Sequence, residues 1–105
     1  MTKLVATANV PTTSASRYLQ QLCKHWGHNL DVSFNADNGR IVFPKDVRGL
    51  NFPGDGTVSL KAHATELEVL VEASAPEQLE GLKGAVASHL DRFAFRQAPL
   101  AFSWR

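Results

Sequence analysis

Thr57-Val-Ser-Leu-Lys-Ala-His63 and Glu66-Leu-Glu-Val-Leu-Val-Glu72 are separated by only Ala64-Thr65. In the first run Val58, Leu60 and Ala62 alternate with polar residues; in the second Leu67, Val69 and Val71 alternate with Glu66, Glu68 and Glu72. Period-two alternation puts each apolar set on one face of a strand. A tight turn at Ala64-Thr65 sets Ala62 across from Leu67 and Leu60 across from Val69. The same register places Lys61 opposite Glu68 on the outer face. A slip of one residue would break the core pairs and the charge pair together. These runs therefore predict an antiparallel hairpin, wet on one face and covered on the other.

The rest of the chain supplies the sheet's partners and its cover. Leu4, Ala6 and Ala8 alternate with Lys3, Thr7 and Asn9, a first strand that Pro11 interrupts. Thr12, Thr13 or Ser14 can cap a helix running to about Trp26. Its apolar sector holds Ala15, Leu19, Leu22, Cys23 and Trp26, and Gly27 is its stop. Leu30, Val32 and Phe34 form a half-buried strand, and Asp37-Asn38-Gly39 signals a turn through positive φ. Ile41 and Phe43 continue in the partner strand. A loop rich in Pro and Gly follows, from Pro44 to Gly56, long enough to bind something or to move. Pro76 opens a second helix, with Leu79, Leu82, Val86, His89, Leu90 and Phe93 as its apolar sector. Leu100, Phe102 and Trp104 close the chain as a last alternating strand. The order is strand, helix, four strands, helix, strand. It predicts one α+β domain over residues 1–105: a two-layer sandwich, mainly an antiparallel sheet of five to six strands with two helices on one face.

Length and composition agree. A chain of 105 residues, 44% hydrophobic and 20% charged, can bury one core without staples. With 11 basic and 10 acidic residues it lacks the basic excess of a nucleic-acid or membrane-surface binder. The lone cysteine, Cys23, forms no intramolecular disulfide and suits a reducing compartment. The first residues make too short an apolar run for a signal peptide, and no stretch approaches a membrane span. The expectation is a cytoplasmic protein.

The chemistry-bearing side chains crowd in Arg17-Tyr-Leu-Gln-Gln-Leu-Cys-Lys-His-Trp-Gly-His28 and in His89-Leu-Asp-Arg-Phe-Ala-Phe-Arg96. Cys23, His25 and His28 do not match a zinc pattern, and on an ideal helix Cys23 sits roughly 160° from His25. Cys23 reads as a small core hydrophobe. His25 shares a stripe with Tyr18; His28 lies past the helix stop, where it can meet the last carbonyls. His89 lies nearer the centre of its apolar face. Antiparallel packing of the two helices would set His25 and His89 on the order of 15 Å apart along the axis, and parallel packing would turn one of them away, so a shared site is not expected unless the helices are offset. His89, Arg92 and Arg96 follow one helix edge and could take an anionic group. Glu66, Glu68 and Glu72 read as a wet surface opposite Lys61 and His63. There is no phosphate loop, no nucleophile context and no cofactor motif.

Arg17-Tyr18-Leu19, Leu22-Cys23-Lys24-His25-Trp26 and His28 resemble the first-helix signature of a small bacterial family of unknown function, number 2218 among such domains. His89-Leu90, Arg92-Phe93-Ala94-Phe95-Arg96 and Trp104 look like its second signature. The family usually carries Lys after the second histidine, where this chain has Asn29. The resemblance implies no established activity. It implies an association with flavin-dependent siderophore-interacting reductases, hence an accessory role in iron handling with such a reductase or a ferric chelate as partner.

Three readings follow. The first is a cytoplasmic binding or accessory module using Tyr18, His25, His28, His89, Arg92 and Arg96. The second is a histidine-based metal binder or enzyme, with no catalytic signature to name its residues. The third is a homodimeric or partner-docking module using the open sheet face, where Leu70 points outward among glutamates.

Overall fold

The computed structural model describes residues 4–47, 50–94 and 100–105. Its elements are β1 (Leu4–Pro11), α1 (Ala15–Trp26), β2 (Asp31–Phe34), β3 (Asn38–Phe43), β4 (Asp46–Val47), β5 (Leu50–Asn51), β6 (Gly56–Ala62), β7 (Glu66–Ala73) and α2 (Pro76–Phe93). Five strands form one antiparallel sheet in the order β1-β7-β6-β3-β2. Both helices lie on one face: α1 packs on β2, β3 and β6, and α2 on β1, β6 and β7. This is the expected two-layer α+β sandwich.

The central hairpin has the register that its pattern demands. Leu60 pairs with Val69, Lys61 with Glu68 and Ala62 with Leu67. Val58, Leu67, Val69 and Val71 are wholly buried beneath the helices. On the open face Glu68, Leu70 and Glu72 stand in a row, with Leu70 between Thr7 of β1 and Ser59 of β6. Lys61 lies opposite Glu68, but it is His63 whose Nε2 lies 3.1 Å from the Glu68 carboxylate.

Helix α1 forms because its apolar residues recur on one side: Ala15, Tyr18, Leu19, Leu22, Cys23 and Trp26 are all buried. Of the candidate caps Ser14 holds the N-cap position without a side-chain cap bond, and Thr12 shapes the turn before it, its hydroxyl accepting the Ser14 N–H at 3.0 Å. Gly27 ends the helix in right-handed backbone, φ −62°, donating its N–H to the Cys23 carbonyl. Helix α2 opens on Pro76, whose missing N–H costs nothing in a first turn, and carries Glu77 there and Arg92 in its last turn, charges suited to the helix dipole.

Three local expectations change. Asn38 and Gly39 are not the turn but the start of β3. The turn precedes them, and Asn35 makes it: its Oδ1 accepts the N–H groups of Asp37 and Asn38, both at 2.8 Å. Pro44–Gly56 is not an open loop, since β4 and β5 pair within it. It is also tied down, because Gly54 donates its N–H to Ser74 Oγ and accepts a bond from the buried Gln78 amide. The last segment, Leu100–Arg105, does not form a ladder. It still lies along the sheet edge, where Thr7 and Arg105 exchange two backbone hydrogen bonds of 2.9 and 2.8 Å. Among the described residues no helix is long and apolar enough to cross a membrane.

Candidate functional site

The carboxy-terminal turns of the two helices meet. His25 is the penultimate residue of α1, and His89 lies in the last turns of α2. Their ring centroids are 5.1 Å apart. The sequence argument expected the two to stay apart because it assumed helices overlapping along their whole length. Instead α1 spans 12 residues and α2 18, and they join at their ends. That offset removes the expected separation along the axis.

Aromatic rings frame the pair. Trp26 lies 4.9 Å from the His89 ring, and Phe93 meets His25 edge-on at 5.9 Å. Behind them Phe43 of β3 meets Trp26 edge-on at 5.0 Å, which braces the indole against the sheet. Trp26 is buried, His89 and Phe93 are half-buried and His25 is exposed. The cluster therefore runs from the core to the surface, with an imidazole at its outer rim.

One hydrogen bond fixes the chemistry of His89. Its Nδ1 lies 2.7 Å from the Ala85 carbonyl oxygen. A carbonyl can only accept, so Nδ1 carries the proton and Nε2 of the neutral ring keeps its lone pair. The last turns carry basic groups: His25 and Lys24 in α1, the latter beside β2, and Arg92 in α2. Asp91, the acid in this turn, accepts the Leu100 N–H at 2.9 Å.

The other candidates are dispersed. Tyr18, on the His25 stripe, is only 6% exposed and belongs to the core. His28 is exposed and points into a different hollow of about 430 Å³, which Cys23, Lys24, Val32 and Phe34 also line. Arg92 is exposed on α2; Arg96 lies outside the described residues. Sequence reasoning assigned Trp26 and Phe93 to the core and so missed their part in framing the histidines. Their contact with His25 and His89 is between helices, and helical periodicity carries no sign of it. A second group, His63, Glu66 and Glu68, brings three potential ligand atoms within 4.8 Å of one another at the β6–β7 hairpin. Its members are already engaged: His63 with Glu68, and Glu66 with the side-chain amide of Asn9.

Cys23 takes no part in such chemistry. Burial raises its thiol from 9.0 to about 11. Native protein at neutral pH should therefore react with a disulfide reagent such as DTNB about a hundredfold more slowly than a free thiol, from the loss of thiolate alone. Labelling as fast as in urea would contradict this. Because the folded-state value is the higher one, the neutral thiol's contribution to stability is intact below pH 9 and is lost as pH rises from 9.0 towards about 11.

The chain belongs to a family of uncharacterised proteins conserved in bacteria, DUF2218, whose model matches residues 7–105. Among solved structures it is similar to the NMR structure of PA4090 from Pseudomonas aeruginosa. The two share 32% identity over 96% of this chain and 94% of that one, with a TM-score of 0.73. No curated protein matches it.

Proposed function

We propose that this chain is a binding or accessory module that meets its ligand where the ends of α1 and α2 join. The observation that carries the reading is the His25–His89 pair at 5.1 Å, framed by Trp26 and Phe93 and open to solvent on the His25 side. Arg92, exposed and three residues beyond His89 on α2, supplies a positive charge. Flat rings beside cationic groups suit an anionic, partly aromatic ligand. A catecholate chelate of iron has that chemistry. The association with siderophore-interacting reductases that the sequence resemblance implies makes an iron chelate the ligand class to try first. A binding role fits better than catalysis because the cluster has no nucleophile beside a base, and Cys23 is sealed in the core.

The test uses gallium(III) tris-catecholate, a diamagnetic stand-in for the ferric complex, titrated into nitrogen-15-labelled protein. Saturable NMR shifts should centre on His25, His89, Phe93 and Arg92. Shifts confined to the His28 hollow, or none at millimolar chelate, would overturn the reading.

A further inference from the structure

Two neighbouring imidazoles can do more than line a surface. With a metal–nitrogen distance of 2.0–2.1 Å, each ring centroid lies about 3.2 Å from a shared ion, so a tetrahedral angle puts the centroids about 5.2 Å apart. The ring centroids of His25 and His89 are 5.1 Å apart. The His89 ring is also set up as a ligand, because its Nδ1–H bond to the Ala85 carbonyl fixes the tautomer and leaves Nε2 to coordinate. His25 is exposed and can turn its ring without disturbing the core. His25 stands in the last turn of α1, where the helix's partial negative charge favours a cation.

We infer that His25 and His89 together bind one borderline divalent metal ion, of the copper, nickel and zinc class, through one ring nitrogen each. Imidazole suits these ions, whereas a ferric ion fully wrapped in oxygen donors has no position for it. Among the described residues no third protein ligand joins the pair, so the remaining positions are left for water or a small chelator. Arg92, three residues beyond His89 on α2, would hold that chelator's negative charge. The inference rests on the reading that the joined helix ends are the ligand site, and it adds a divalent ion, distinct from a chelated ferric ion, that the protein itself ligates there.

The experiment titrates cupric ion into tag-free protein, followed by calorimetry and electron paramagnetic resonance, and zinc ion followed by imidazole NMR. One ion per chain is expected, with superhyperfine coupling from two nitrogens and zinc-induced shifts at both rings. His25→Ala should weaken cupric binding by more than the roughly tenfold that loss of an outer-shell partner costs. His89→Gln should do the same, and His25→Ala, at an exposed position, tests the idea even if the His89 variant folds poorly. His28→Ala and His63→Ala should leave binding unchanged. Binding that survives His25→Ala, that is lost with His63→Ala, or that never reaches one ion per chain would overturn the metal site. If gallium tris-catecholate still shifts the joint while bare ions do not bind there, the metal inference falls and the ligand surface stands. If neither binds, both fall.

Discussion

Trp26→Ala should destabilise the fold by about 3–5 kcal/mol, the range for truncating a buried large aromatic. The indole is 8% exposed, so nearly all its surface is withdrawn from water. It meets Phe43 of the sheet edge-on and the His89 ring of α2 at a tilt, so it ties three elements together at one point. Its own carbonyl accepts the N–H groups of Asn29 and Leu30, which starts the approach to β2. Trp26→Phe keeps a ring between Phe43 and His89 and should recover much of the loss. Urea unfolding followed by far-ultraviolet circular dichroism measures both variants without relying on tryptophan emission. The alanine variant should also scatter the His89 imidazole signals. A loss under about 1 kcal/mol would mean that the helix ends are held by something other than the indole.

The hairpin was legible because two independent patterns, apolar alternation and charge placement, agreed on one register; Leu60–Val69 and Lys61–Glu68 stand as read. The extent of α1 was legible for a similar reason, since its apolar sector ends at Trp26 and glycine follows. What was not legible depends on distances between elements. Periodicity says that His25 and His89 each border a buried stripe. It does not say that helices of 12 and 18 residues meet at their ends. That placement follows from α1 lying over β2, β3 and β6 while α2 lies over β1, β6 and β7, a consequence of strand order. Asn38-Gly39 was misread for a different reason. Local turn chemistry offered one explanation for the glycine, and a packing constraint from a residue sixteen positions earlier supplied another.

That constraint predicts the second large effect. Gly39→Ala should destabilise the protein by about 1–3 kcal/mol, the usual cost of overpacking a core. A Cβ at Gly39 would lie 2.7 Å from Cys23 Sγ, 3.3 Å from Leu19 Cδ2 and 3.5 Å from Phe34 Cβ. Cys23 and Leu19 have no exposed surface, so neither can swing into solvent to make room. Two effects oppose the clash. Removing a glycine stabilises by about 0.4–1 kcal/mol through the unfolded chain where the backbone is compatible, and alanine suits a strand somewhat better than glycine. Both are smaller than the overpacking term, so the clash decides the sign. A double-mutant cycle separates the causes. Cys23→Ala removes the nearest atom and on its own should cost stability by leaving a cavity. Combined with Gly39→Ala, the new methyl enters the space that the sulfur leaves, so the double variant should be more stable than the sum of the singles by about 0.5–3 kcal/mol. Additivity to within about 0.5 kcal/mol in urea unfolding would show that the sulfur is not what excludes a side chain at position 39.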